Sequence, residues 1–248
     1  MPNPSPSIVF VEDRGAVRII TMNRPEKLNA LNTELTRSIH DALLAADADQ
    51  HIRAIVLAGA GRAFCAGADL AEFDKLTPAN KVLVENRADL TCRTQAMMQN
   101  LSKPIVSAVQ GAAVGGGAGL AIGCDMMVAA TDLKFGYPEL KHSVVPALVM
   151  TGLQRSLGRK AAFEMISLGR LIGAQEALSL GLCNRVVASQ DVVETAVDIA
   201  QSWAQANPRA MSAAKALYYQ VSDLPYGEAM TAGRELNAKM RAFREEER

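Results

Sequence analysis

The sequence predicts an α/β fold that turns helical toward its C-terminus, and three observations predict it. Short, unbroken apolar runs recur as RAIVLAG, PIVSAV and DMMVAA, of the kind buried on both faces of a parallel sheet. Stretches with apolar residues at helical spacing separate them. From about Val149 onward helical patterns dominate, with NRVVA as the one strand-like run. This alternation of strands and helices, followed by helices alone, points to an α/β core of residues 1–190 and a helical region of residues 191–248.

Each element has a local reason. The opening MPNPSPS reads as an extended lead-in. IVFVED and AVRIITMNRP are β-runs joined at Asp13-Arg14-Gly15, a hairpin signal. NTELTRSIHDALLAADAD is a helix that Asn32 or Thr33 can cap, with Leu35, Ile39, Leu43 and Leu44 recurring at helical spacing. RAIVLAG leads into the small-residue loop GAGRAFCAGADL, whose ADLAEF end starts a helix. Residues 74–85 carry no clear pattern, and RADLTCRTQAMMQNL is the helix expected after them. PIVSAV, the short helix GAGLAIGC, and the strands DMMVAA and LKFGYPE follow. MTGLQRSLG, RKAAFEMISLG and AQEALSLG are helices, and three longer ones close the chain, the last running from about Tyr226 to FREEER.

Composition bounds the function. The 248 residues are enough for one full-sized core. Apolar residues make up 49% and charged residues 21%, ordinary for a soluble globular protein. Lys+Arg and Asp+Glu balance at 26 each, so no overall field favours nucleic acid or an anionic membrane. No N-terminal leader and no bilayer-length apolar run are apparent, so a cytoplasmic protein is expected. Cys65, Cys92, Cys124 and Cys183 lack metal-ligand spacing, so buried reduced thiols and no metal site are expected.

Two loops carry the chemical signal. AFCAGADL and AVGGGAGL each follow a buried strand, are rich in Gly and Ala, and open into a helix. A helix N-terminus offers N–H groups with no acceptor of their own, and about half a positive charge. Two such ends meeting at one oxygen would form an oxyanion hole. Dinucleotide binding fails on register: G-x-G-x-x-G counted from Gly115 ends on Leu120, and from Gly117 on Ile122. A P-loop motif is absent. No serine or histidine lies between Gly111 and Asp125, which disfavours a serine peptidase.

The segments MNRPEKLNALN, AFCAGADL, QGAAVGGGAGLAIGCDM, KFGYPELKHSVVP and GLCNRVV occur in this order along most of the chain. In them the sequence resembles the enoyl-CoA hydratase/isomerase (crotonase) family. The resemblance implies a spiral of ββα units with a helical C-terminal region, assembled as a homotrimer or a dimer of trimers. It implies an acyl-CoA substrate, with coenzyme A entering as part of that substrate and no separate cofactor. It places the oxyanion-hole amides at Ala68 and Gly116 and an acid–base carboxyl at Glu139. CoA contacts are implied for Arg24 and Lys27 at phosphates, and for the backbone of 27–30, Leu28 and Ala30 included, at the adenine. Ala66, Asp69, Leu70 and Gly115 flank the same site. Asn29 and Asn32 read as turn and cap residues, Asp69 as a partner of free N–H groups at its helix start, and Asp125 as a structural carboxylate.

The chain also departs from the family pattern. The hydratases best known in the family use a second glutamate, two residues after the triple glycine, where this chain has Gly119. One carboxyl can still move a proton between carbons, so Gly119 favours double-bond isomerisation while leaving one-glutamate hydration open. A second carboxylate facing Glu139 would have to come from Glu72 or from residues 74–85. VVPALVMTGLQRSLG lacks a glycine-rich loop and resembles a branch that includes dehydratases or decarboxylases of branched acyl thioesters. Ala147 stands where dienoyl isomerases and dehalogenases of the family have an aspartate, disfavouring both. His142 is a possible assistant to Glu139, with a surface role the plainer reading. A non-catalytic acyl-CoA binder is the alternative from another class. The C-terminal GEAMTAGRELNAKMRAFREEER matches the family only loosely, with Phe243 as its aromatic.

Overall fold

The computed structural model describes residues 7–73 and 75–240. The lead-in before Ser7, Asp74, and the FREEER end with Phe243 lie outside the described residues. The chain opens with the hairpin β1 (Val9–Arg14) and β2 (Val17–Met22), turned at Gly15 with φ +63°. Helix α1 (Thr33–Ala48) is capped by Asn32, whose side chain accepts from the Leu35 N–H at 2.8 Å. It leads to β3 (Ala54–Gly59). The single-turn α2 (Leu70–Phe73) and the long α3 (Lys81–Asn100) precede β4 (Ile105–Val109). Strand β5 (Ala112–Val114), helix α4 (Gly116–Gly123) and strands β6 (Met126–Ala130) and β7 (Lys134–Gly136) complete the α/β part. Then come α5 (Val149–Ser156), α6 (Arg159–Leu168), β8 (Leu171–Ile172), α7 (Ala174–Ser179) and β9 (Arg185–Val187). Helices α8 (Val192–Ala204), α9 (Pro208–Val221) and α10 (Tyr226–Lys239) close the chain.

Six strands form the large sheet in the order β1-β2-β3-β4-β6-β9, parallel except for the β1–β2 hairpin. Residues of β3 and β4 are buried throughout, because both faces of the sheet are covered. Ile55, Leu57, Ile105 and Val109 join a core with Leu35, Ile39 and Leu43 of α1. The alternate residues Ala54, Val56, Ala58, Val106 and Ala108 pack with Ala196, Val197 and Ala200 of α8 on the other face.

A second, smaller layer positions the site. After the β1–β2 hairpin, the chain adds short rungs between successive large-sheet strands, two of them (β7 and β8) between β6 and β9. Leu31 bridges Ala68, Cys65 bridges Ala113, β5 pairs with β7 in parallel, and β7 pairs antiparallel with β8. The rungs follow chain order, so the polypeptide winds as a spiral of ββα turns, as expected. The loops after β3 and β4 therefore lie side by side. Their closeness explains the small residues: a Cβ on Gly117 would stand 2.3 Å from the Cys65 carbonyl oxygen, and one on Gly111 2.1 Å from that of Arg62.

Three details differ from the sequence reading. Helix α3 begins at Lys81, after a 3-10 turn over Pro78–Asn80, so most of the patternless stretch is helical. Its first turns are largely exposed, which removes the apolar periodicity a buried face would impose. Strands β5 and β8 are three and two residues long, too short to leave an alternating pattern. Cys92 is exposed, while Cys65, Cys124 and Cys183 are buried free thiols as expected. Among the described residues no helix is long and apolar enough to cross a membrane.

Candidate active site

The segment 24–31 and the loop 65–69 are stitched together. The Ala66 N–H donates to the Leu28 carbonyl at 2.9 Å, Leu31 to Gly67 at 2.7 Å, and Asp69 to Leu31 at 3.1 Å. Leu28 and Asn29 both have positive φ, 50° and 54°. The fully buried Asn29 holds that bend: its Oδ1 accepts from the Arg24 N–H, and its Nδ2 donates to the carbonyls of Ala60 and Ala63. Arg24 donates to the Ala30 carbonyl at 2.6 Å and to Asp69 at 2.9 Å, and only 15% of its side chain is exposed. It is thus a clamp between the two segments rather than a solvated surface cation. Asp69 also accepts from the Ala71 N–H at 3.1 Å, as a helix-start carboxylate does. Burial works against its charge, but Arg24 and that N–H together hold its carboxyl below the usual range. Lys27 is exposed beside this clamp, and Leu70 is 71% exposed at the start of α2.

The Ala68 amide points away from this stitching. In a parallel bridge, neighbouring residues 67 and 69 make the bonds to Leu31, so the N–H of Ala68 itself faces the opposite edge. Gly116 is the first residue of α4, where an N–H has no intrahelical acceptor. Among the described residues neither the Ala68 nor the Gly116 N–H has an acceptor. The two loops touch here: an ideal Cβ on Gly67 would lie 2.8 Å from the Val114 carbonyl oxygen and 3.9 Å from the Gly116 nitrogen. Gly67 has φ +97°, a conformation costly to a side chain, so its alanine variant must move the Ala68 amide. If the Ala68 N–H is one of two oxyanion donors, as the sequence resemblance implies, Gly67→Ala is expected to lower kcat on an enoyl-CoA by about 10²–10³-fold, the usual effect of losing one such donor. Steady-state kinetics with unchanged far-UV circular dichroism is the check; retention of kcat within about twofold would contradict it.

Glu139 opens a 3-10 turn over Glu139–His142 that follows β7. Its carboxyl lies against the Gly115 Cα, since a Cβ on Gly115 would stand 2.7 Å from Oε1. Gly115 has φ +53°, so the absence of a side chain there serves both the turn into α4 and the room for Glu139. Oε2 of Glu139 is buried and unpaired among the described residues. Burial pushes this carboxyl above the ordinary glutamate range, opposed by its own backbone N–H and by His142. His142 is exposed, which favours the surface reading of that residue. The raised Glu139 carboxyl thus packs on the bare Gly115, one residue before the Gly116 N–H at the start of α4.

Glu72 does not join Glu139. Its Oε1 accepts from the Thr33 N–H at 3.0 Å and its Oε2 from Arg87 at 3.1 Å, tying the start of α1 to α3. Within the formerly patternless stretch, Glu85 pairs with Lys81 at 3.6 Å. The position beside Gly119 is filled instead by Gln95 of α3, which sequence reasoning missed. A Cβ on Gly119 would stand 2.5 Å from Gln95 Oε1 and 2.9 Å from Val149 Cγ1. Gln95 Nε2 donates to the Gly116 carbonyl at 3.0 Å. A cavity of about 270 Å³ adjoins, lined by Gln95, Gly119, Leu148, Val149 and Arg155 among others. No sequence signal marks Gln95, because it approaches from a helix 21 residues upstream of Gly116.

Asp125 is structural, as expected. Its Oδ2 accepts from the Ile105 N–H at 2.7 Å and from Lys215 at 2.8 Å, and its Oδ1 from the Tyr219 hydroxyl at 2.7 Å.

A two-layer ββα spiral, with a desolvated glutamate beside a glycine-capped helix end, places the molecule among enzymes built on the enoyl-CoA hydratase fold. The family model described as Enoyl-CoA hydratase/isomerase matches residues 12–246, and the chain belongs to that family. It is 38% identical over 205 residues to a putative enoyl-CoA hydratase of Thermus thermophilus, covering 83% of this chain and 81% of that protein. It is 41% identical over 211 residues to a probable enoyl-CoA hydratase of Rhizobium meliloti, covering 84% and 80%. The crystal structure of an enoyl-CoA hydratase from Mycobacterium smegmatis is similar with a TM-score of 0.88 and 30% identity, covering 94% of this chain and 91% of that one. The chain is therefore an enzyme of the hydratase/isomerase type.

Proposed function

We propose that this enzyme hydrates 2-enoyl-CoA thioesters with Glu139 as its single acid–base. The observation that carries the reading is Glu139, whose Oε1 packs on Gly115, one residue from the Gly116 N–H, and whose buried Oε2 has no partner among the described residues. The thioester oxygen sits between the amides of Ala68 and Gly116. Water bonds to Cβ and gives one proton to the Glu139 carboxylate, while the double-bond electrons move onto the thioester oxygen. The two amides stabilise that enolate charge where it develops. Glu139 then returns the proton to Cα, which gives the 3-hydroxyacyl-CoA and restores the carboxylate. One carboxyl acts as base and then as acid, so no second glutamate is needed.

The names of the relatives favour hydration. Isomerisation is a second reading, favoured by Gly119: Glu139 takes a proton from Cα of a 3-enoyl-CoA and returns it to Cγ through a dienolate held at the same amides. Lys27 and the backbone of 27–30 receive the CoA nucleotide, with Arg24 bracing that surface. Coenzyme A arrives as part of the substrate, and the reaction draws on no other cofactor. The working form is a homotrimer or a pair of trimers in the cytoplasm; exposed Phe163, Leu168 and Tyr226 supply apolar surface for such contacts. The test is to assay 2-butenoyl-CoA and 3-enoyl-CoA side by side. Hydration of the first supports the main reading, turnover of the second alone supports isomerisation, and inertness toward both refutes the two together.

A further inference from the structure

We infer that Gln95 is the group that orients the attacking water, standing across the first turn of α4 from Glu139. This rests on Glu139 acting as the acid–base. Gly115 and Gly119 are one helical turn apart, joined by the Gly119 N–H donating to the Gly115 carbonyl at 2.9 Å. Glu139 closes on the first glycine and Gln95 on the second, each with a side-chain oxygen within 2.7 Å of where a Cβ would be. The missing side chains of this turn are replaced by polar groups reaching in from other elements.

The two ends of the Gln95 amide have different tasks. Nε2 is fixed on the carbonyl of Gly116, the residue whose N–H stays free at the helix start. Fixing Nε2 fixes the amide plane, so Oε1 is held at Gly119 beside the cavity. Among the described residues the Gln95 side chain bonds through Nε2 alone, and the space of about 270 Å³ beside it, lined by Gln95 and Gly119 but not by Glu139, is ample for water, whose share of liquid volume is about 30 Å³. An amide oxygen accepts a hydrogen bond but does not take a proton at neutral pH. Oε1 thus accepts from one hydrogen of the water, the other hydrogen goes to Glu139, and the oxygen lone pair is aimed at Cβ. The hydrogen held by Oε1 remains on the product hydroxyl. A neutral orienting group opposite a lone carboxyl accounts for hydration without a carboxylate at position 119.

The test separates water addition from the proton chemistry of Glu139. Exchange of the Cα hydrogen of butyryl-CoA into D2O needs Glu139 and the two amides but no water at Cβ. Both this exchange and hydration of 2-butenoyl-CoA are measured by proton NMR for the wild type, Gln95→Leu and Gly119→Ala. The expected result is a fall of about tenfold in the ratio of hydration to exchange in Gln95→Leu, the scale of one lost hydrogen bond. Gly119→Ala keeps the glutamine but pushes Oε1 aside, and is expected to lower the ratio in the same direction. The ratio does not depend on the fraction of folded enzyme. Equal loss of both reactions would reduce Gln95 to a brace for Gly116, and an unchanged ratio would remove it from water addition; either overturns the inference. Absence of exchange in the wild type would overturn the Glu139 reading, and this inference with it.

Discussion

Replacing Glu139 by glutamine is expected to lower hydration of a 2-enoyl-CoA by about 10²–10⁴-fold, the range for loss of a positioned acid–base group. Glutamine matches the side chain in size, so the packing against Gly115 and the binding of the CoA ester persist. The pH dependence follows from the raised carboxyl. Glu139 must be ionised to accept the proton from water, so kcat/KM falls as pH drops through a value above the ordinary glutamate range. The residual rate of Glu139→Gln lacks this limb. Stability moves the other way. A carboxyl whose folded-state value is raised binds its proton more tightly in the folded protein, so its ionisation weakens the fold as pH rises. Glu139→Gln is therefore expected to melt at a higher temperature than the wild type above that value, with the gap closing below the ordinary glutamate range. A variant that keeps wild-type turnover and its acid limb would contradict the assignment.

The largest expected effect on stability lies at Lys215. Its ammonium is buried and donates to the carbonyls of Met98 and Lys103, at 2.8 and 2.9 Å, and to Asp125 at 2.8 Å. It thereby ties α9 to the end of α3, the lead into β4 and the start of β6. Lys215→Ala leaves two carbonyls without their donor and Asp125 without its counter-charge, while the Ile105 N–H and Tyr219 hydroxyl still bond the carboxylate. Breaking such a pair from one side costs about 3–5 kcal/mol, because a buried charge is left uncompensated. Urea unfolding should show this loss in full, and a change below about 1 kcal/mol would mean the pair is solvated and dispensable. The Tyr219 phenol is pushed upward by burial and by the Asp125 charge, so it stays a neutral donor across the working pH range.

Much of this arrangement was legible in the sequence, for identifiable reasons. RAIVLAG and PIVSAV read as doubly covered strands because an unbroken apolar run has no solvent face, and β3 and β4 are buried on both sides. Asn32 announced α1 because a cap acts within its own turn. The small-residue loops announced close backbone approach, and Gly117 against Cys65 is such an approach. The illegible parts depend on contacts distant in sequence. Nothing in the sequence pairs Arg24 with Asp69, 45 residues further along the chain. Gln95 is one polar residue on a helix until the spiral sets it at Gly119. The early turns of α3 left no pattern because little of that helix is buried there.

The central claim is that the N–H groups of Ala68 and Gly116 share one thioester oxygen. The most direct measurement is a crystal structure of the Glu139→Gln variant with a 2-enoyl-CoA bound. The account predicts a thioester oxygen within about 3.2 Å of both nitrogens. The acyl Cβ should face the space between residue 139 and Gln95. A thioester oxygen bonded elsewhere, or to only one of the two amides, would contradict it.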